Sequence, residues 1–209
     1  MKKSILALMV ALVLMMMPVL SMAEAAEELD VTYLTYTHTD DQYSLMYPDN
    51  WILLNAKNIE AVMDEMSKSG NEELANMVSL YGPQVQQLDM VMLLNESTMT
   101  NVNFVCQTIG MHAEDDVLLG LAPNLISQLS SSFEGIQFIN EGTIIDLNGK
   151  NGMMLEYIYE LSGVQMHGVQ MYISGESNLY VCTYTCGNAD ELSATSEDFG
   201  FMLGSMSIK

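Results

Sequence analysis

Three histidines, and the carboxylates that follow two of them, are the residues best suited to metal or acid–base chemistry. Imidazole and carboxylate groups are zinc ligands, and carboxylates also bind calcium. The candidate metal ligands form two clusters, with His38, Asp40 and Asp41 in the first and His112, Glu114, Asp115 and Asp116 in the second. The alternative is that both clusters are solvated turns, with Asp115 or Asp116 capping a helix that begins at Val117. The spacing leaves both interpretations open.

The other potential bases and nucleophiles form no recognised catalytic motif. His167 lies in a strand-like run, and because strand neighbours point to opposite faces, Met166 and His167 do not form a soft-metal pair. The sequence has no Gly-x-Ser-x-Gly elbow and no glycine-rich phosphate loop. We therefore expect no enzymatic activity, no catalytic residues and no cofactor. A hydrolase whose residues meet only in the folded chain is the lesser alternative.

Three cysteines restrict the possible disulfides. Cys182 and Cys186 are four residues apart in a strand-like run, which separates them by about 13 Å. A disulfide needs Cα atoms within about 7 Å, so at most Cys106 pairs with one of the other two. The interpretation we favour is that all three are small buried hydrophobic residues.

The first residues have the features of an export signal. Lys2 and Lys3 precede an apolar run from Ile5 to Leu20, and small residues stand where a signal peptidase would read them. We expect residues 1–23 to be a cleaved signal peptide, 24–30 an acidic linker and 31–209 a single domain. No cysteine lies near the predicted cut and no second long apolar run follows. We expect a soluble, secreted or extracytoplasmic protein, not a lipoprotein, with no integral membrane span after cleavage.

The charge balance is strongly acidic. The chain has 27 acidic residues against 6 basic ones, all lysine, and a net charge of −21. Such a surface repels nucleic acid and anionic membranes, so neither is expected as a partner. Without arginine, the chain lacks the planar fork that binds phosphate or carboxylate in two places. The acidity suits solubility outside the cell, and the alternative is a basic protein or a cation as partner.

Apolar periodicity and turn residues divide the rest of the chain into strands and helices. The predicted strands are residues 31–37, 42–47, 51–54, 89–94, 101–109, 136–147, 152–161, 164–174, 178–186 and 204–208. The predicted helices are residues 59–69, 72–81, 117–133 and 199–203. Gly82-Pro83 is expected to end the second helix, and Pro123 to kink or divide the third.

The order of these elements predicts an α+β domain. Short turns at 148–151, 162–163 and 175–177 join the strands between residues 136 and 186, so these strands must be antiparallel neighbours. The strand at 89–94 is apolar on both faces, which predicts that it is covered on both sides. The helices must then cover the faces of a central sheet.

Three stretches carry a resemblance to a known family. They are the Tyr-Pro-x-x-Trp corner in Tyr43–Trp51, the strand meander from Gly142 to Cys186, and the helix that runs into a Ser-x-x-Ile strand in Phe199–Ile208. With these features the chain resembles the PsbP-like fold family, which includes the extrinsic photosystem protein PsbP, bacterial DcrB-type envelope proteins and domains of unknown function. The resemblance implies a central antiparallel sheet flanked by helices, an α/β/α sandwich.

The same resemblance implies a function class but no site residues. Members of the family are mostly non-enzymatic binding or assembly proteins, so we expect an exported domain that meets another envelope or secreted protein. A divalent-cation-binding extracytoplasmic protein is the alternative. The Tyr43–Trp51 corner is expected to be architectural, with Trp51 buried and pinning a helix against the sheet.

Overall fold

The computed structural model describes residues 31–209 except 39, 41, 70, 71, 96, 99, 162 and 188. The predicted signal peptide, the predicted linker and the candidate ligand Asp41 lie outside the described residues. No helix in the described part of the chain is both long and apolar enough to cross a membrane.

Ten strands and four helices form within the described residues. The strands are β1 (Tyr33–Thr37), β2 (Tyr43–Pro48), β3 (Trp51–Leu54), β4 (Val91–Asn95), β5 (Asn101–Thr108), β6 (Gln137–Asp146), β7 (Asn151–Leu161), β8 (Val164–Ser174), β9 (Asn178–Cys186) and β10 (Ser207–Ile208). The helices are α1 (Ile59–Ser69), α2 (Glu72–Gln87), α3 (Asp115–Ser132) and α4 (Ala189–Ser205).

Neither Pro83 nor Pro123 ends or divides its helix. α2 continues past Gly82-Pro83 to Gln87, because Tyr81 and Val85 on either side of the proline are both buried in the core. α3 likewise runs as a single element through Pro123, with its buried residues spaced along one face. Tertiary burial therefore outweighs the hydrogen bond that each proline removes.

The last helix is longer than predicted. It begins at Ala189 rather than near Phe199. Its first half is rich in polar residues, and two of its buried positions are Glu191 and Thr195. The Glu191 carboxylate accepts the Gly187 N–H at 2.6 Å, and the Thr195 hydroxyl lies 2.8 Å from that of Tyr184. Because these buried positions are polar, apolar periodicity did not predict the first half of the helix.

All strands pair antiparallel, in two sheets. The large sheet has seven strands in the order β3-β4-β5-β9-β8-β7-β6, and the small sheet has three in the order β1-β2-β10. The predicted meander is confirmed, since β6, β7, β8 and β9 are successive neighbours. Asn148 and Gly149, with φ of 55° and 82°, form the two-residue β6–β7 hairpin loop, as a type I′ turn requires.

The large sheet separates two hydrophobic cores. The first core lies between one face of the sheet and α1, α2 and α3, and it contains Met153, Leu155, Tyr157 and Tyr159, which were predicted to share a face. The second core lies between the opposite face and the small sheet with α4. Every residue of β4 is buried, as expected for a strand covered on both sides. The predicted α+β architecture, a central antiparallel sheet flanked by helices, is confirmed.

The Tyr43–Trp51 corner carries the chain from one sheet to the other. The strands on either side of the corner were expected in one central sheet, but β2 belongs to the small sheet and β3 to the large one. Trp51 is 2% exposed, as predicted, and its indole N–H donates to Oδ2 of Asp198 in α4 at 2.8 Å. Burial raises the pKa of the Asp198 carboxyl, and the hydrogen bond from Trp51 partly offsets this by lowering that pKa. The corner thus fastens α4 to the large sheet.

The interpretation that we favoured, three buried cysteines, holds for Cys182 and Cys186 but not for Cys106. Cys106 and Cys182 are free thiols, and Cys182 and Cys186 are buried while Cys106 is half-buried. Burial raises the pKa of the Cys106 thiol to about 11. The thiolate is the reactive form of cysteine. Because burial disfavours the thiolate of Cys106, this residue does not suit a nucleophile.

Removing the tryptophan side chain should strongly destabilise the fold. Trp51→Ala leaves a cavity in the second core and an unpaired Asp198, so we expect the free energy of unfolding to fall by about 3–5 kcal/mol. Chemical denaturation followed by circular dichroism measures this change. Met46→Ala, at an exposed apolar position of β2, is the matched control and should cost less than about 1 kcal/mol. A similar loss for both variants would show that the corner has no special role.

Candidate functional site

The histidine of the first candidate cluster packs against Asp89 and Tyr43. The His38 side chain is 4% exposed, and its Nε2 lies 3.4 Å from Oδ2 of Asp89, a residue that the sequence did not single out. The imidazole stacks on Tyr43 with ring centroids 5.0 Å apart. Asp40 contacts the histidine only through its backbone N–H, 3.5 Å from Nδ1. His38 therefore lies against the small sheet, and Asp41 is outside the described residues.

The second candidate cluster lines an open cavity of about 540 Å³. The cavity lies where the start of α3, the β6–β7 turn and the end of β8 meet. The predicted residues line it together with side chains from the other two segments: His112, Glu114, Asp115, Asp116, Lys150, Asn151 and Ser174. The last three were missed because only the sheet topology brings them to α3. Across the described residues, no three His, Cys, Asp or Glu side chains are grouped so that they could hold a metal ion.

The carboxylates at the start of α3 do not cap the helix as expected. The N-cap residue is Glu114, whose side chain makes no capping hydrogen bond. Asp116 accepts the N–H of its own neighbour Val117 at 2.9 Å. Asp115 accepts from Nδ2 of Asn151, at 3.1 Å and 3.0 Å for its two oxygens. Asp115 therefore joins α3 to the β6–β7 turn.

The His112 imidazole is oriented by a backbone carbonyl. Nδ1 lies 2.9 Å from the Gly175 oxygen, and because a carbonyl only accepts, Nδ1 carries the ring proton. Ser174 Oγ lies 3.1 Å from the same nitrogen, and it donates to the same carbonyl at 3.2 Å. A general base must present a lone pair to the serine proton. His112 and Ser174 instead share an acceptor, so their geometry is that of a structural clamp rather than a catalytic pair.

A second concave site contains the third histidine. His167 Nε2 lies 2.9 Å from Oε1 of Glu156, across the β7–β8 pair. His167 is 8% exposed, and its Nδ1 is buried with no hydrogen-bond partner among the described residues. The pair lines a cavity of about 190 Å³, which we call the β6–β8 groove. Its lining residues are Ile139, Glu156, Ile158, Gln165, Met166, His167 and Leu192.

The β6–β8 groove exists because the second core covers only part of β6 and β7: Ile145 and Met154 pack against that core, but Ile158 does not. On β7, the residues that face the first core are buried, whereas on the other face Glu156 and Ile158 are half-buried and Glu160 is exposed. A bulge between Phe138 and Asn140 interrupts the register of β6 and leaves Ile139 56% exposed. Bulges of this kind redirect a side chain at a sheet edge.

The chain matches neither a family model nor any curated protein, but solved structures match its fold. The cyanobacterial PsbP protein, CyanoP, from Synechocystis superposes with a TM-score of 0.52 at 15% identity, over 90% of this chain and 98% of that one. The chain has the PsbP-like fold. At such low identity the likeness concerns the fold alone.

Two other solved structures share the PsbP-like fold. LpqN from Mycobacterium tuberculosis, described as involved in cell envelope biogenesis, has a TM-score of 0.52 at 13% identity over 87% of this chain and 93% of its own. The Ran-binding protein Mog1p of Saccharomyces cerevisiae has a TM-score of 0.51 at 6% identity over 86% and 96%. The resemblance predicted from the corner, the meander and the C-terminal helix and strand is confirmed at the level of fold.

The protonation of His112 is directly measurable. We expect the Nδ1–H tautomer at neutral pH, because a lone pair on Nδ1 would repel the Gly175 oxygen 2.9 Å away. Long-range ¹H–¹⁵N correlation spectra of the imidazole distinguish the two tautomers. An Nε2–H tautomer would place an Nδ1 lone pair against Ser174 and make a serine–histidine pair chemically possible.

Proposed function

We propose that this protein is an exported, non-enzymatic binding or assembly domain of the cell envelope or secreted fraction, whose partner is another envelope or secreted protein. The observation that carries the proposal is the β6–β8 groove, a concave apolar surface with a partly buried polar pair at one edge of the large sheet. The PsbP-like fold of an envelope biogenesis protein and the predicted export signal support the location.

The apolar wall of the groove contributes little to the two cores. Ile139 and Ile158 belong to neither core, although Met166 packs in the first core and Leu192 against the second. Ile139 is also the most exposed of the large apolar residues in the described chain. Apolar side chains that are exposed beside a concavity are typical of binding sites.

The polar pair is also poorly explained by folding. The pair is a hydrogen bond between side chains that are 10% and 25% exposed, and even a buried charged pair can often be replaced by apolar residues without loss of stability, so it is weak support for stability. In addition, the unsatisfied Nδ1 of His167 carries a desolvation penalty that a better-packed core residue would avoid. Groups of this kind in a concave site indicate a function outside the fold.

The His112 cavity supports the non-enzymatic part of the proposal. Its histidine and serine are both hydrogen-bonded to the Gly175 carbonyl, and Asp115 joins two elements of the fold. These side chains are therefore engaged in holding α3 against the β6–β7 and β8–β9 turns.

The acidic surface, with a net charge of −21, favours a basic partner.

Site-specific cross-linking in the producing cell tests this function. A photoreactive amino acid placed at Ile139 should give one discrete adduct with an envelope or secreted protein. The matched control is Leu119, which is 41% exposed on α3, across the sheet from the groove, and it should not give that adduct. Equal adducts from both positions, or none from Ile139, would contradict the proposal.

A further inference from the structure

We propose that the β6–β8 groove receives a lysine side chain of its protein partner, with the aliphatic stem on the apolar wall and the ammonium on Glu156. This inference rests on the proposed binding function and specifies its chemistry. It follows from the size of the groove, the position of its carboxylate and the charge of the chain.

The groove has the size of one side chain rather than of a metabolite. Its volume is about 190 Å³, whereas small-molecule sites are usually about 300–1,000 Å³. That space corresponds to roughly six water molecules at their liquid volume, which suits an unbranched stem with a terminal amine. The stem would lie along Ile139, Ile158 and Leu192, as long cationic side chains commonly do on apolar surfaces.

The carboxylate is held in position and retains the capacity to bind a cation. Nε2–H of His167 donates to Oε1 of Glu156 at 2.9 Å, which fixes the orientation of the carboxylate. An ionised carboxylate has about four lone-pair sites, and this hydrogen bond uses one of them. A second, charge-assisted hydrogen bond from an ammonium group would therefore add to the pair without displacing His167.

The same geometry favours lysine over arginine. A guanidinium binds a carboxylate best when both oxygens accept in parallel, which on Glu156 would require Oε1 to accept a second hydrogen bond beside that from His167. An ammonium is a point charge and needs only one free acceptor site. With 27 acidic and 6 basic residues in the chain, the surrounding field attracts a cationic segment.

Three short peptides that differ at one position test the inference. The probes are acetyl-Ala-Val-Lys-Val-Ala-amide and its norleucine and arginine counterparts, titrated into the protein while side-chain methyl resonances are recorded. We expect the lysine peptide to shift the methyl signals of Ile139, Ile158 and Leu192. The norleucine peptide, which keeps the stem and lacks the charge, should bind about tenfold more weakly, the effect of one charge-assisted hydrogen bond.

Two variants identify the responsible carboxylate. Glu156→Gln should reduce lysine-peptide binding to the level of norleucine, whereas Glu160→Gln, which removes an exposed carboxylate outside the groove, should leave most of it. Equal binding of lysine and norleucine, tighter binding of arginine, or a lysine preference that survives Glu156→Gln would each overturn the inference. If no peptide shifts the groove signals while Ile139 still cross-links to a partner, the lysine inference fails and the binding function stands.

Discussion

A seven-stranded antiparallel sheet has two faces to bury, and the way this chain covers the second face determines the rest of the structure. Three helices cover the first face, while the second is covered by a small sheet and α4. The hydrogen bond from Trp51 to Asp198 joins the edge strand β3 to α4, which fixes where that cover lies. The cover reaches Ile145 on β6 and Met154 on β7 but not Ile158, so the end of these strands with Glu156 and His167 stays only partly covered. The fold and the groove are therefore consequences of the same arrangement.

Local patterns were sufficient to predict most of the fold. The alternation in β7, the two-sided apolar character of β4 and the turn residues of the meander each act over a few residues, and each predicted its element correctly. The errors arose where distant contacts decide the outcome. Burial of Tyr81 and Val85 carries α2 through its proline, and the buried polar residues of α4 disguise its first half. The passage of the chain between sheets at the Trp51 corner likewise depends on contacts far along the sequence.

The candidate sites were predictable to different extents. His112 and the carboxylates after it lie within five positions, so their proximity was predictable. Their hydrogen-bond partners were not, because the Gly175 carbonyl and Asn151 belong to other turns. For the groove, the predicted turn at 162–163 implies the pairing of Ile158 with His167 that the structure shows, and this places Glu156 one diagonal away. What no local pattern could show is that this end of the sheet face is left partly uncovered.

The central claim is that the Glu156–His167 pair serves a partner rather than the fold. The most direct test is the free energy of unfolding of the double variant Glu156→Leu/His167→Leu, measured by chemical denaturation. If the pair serves a partner, apolar replacements should change the stability by less than about 1 kcal/mol or increase it, since even buried charged pairs are often replaceable in this way. A loss of about 3 kcal/mol or more would show that the pair is structural, and would contradict the claim.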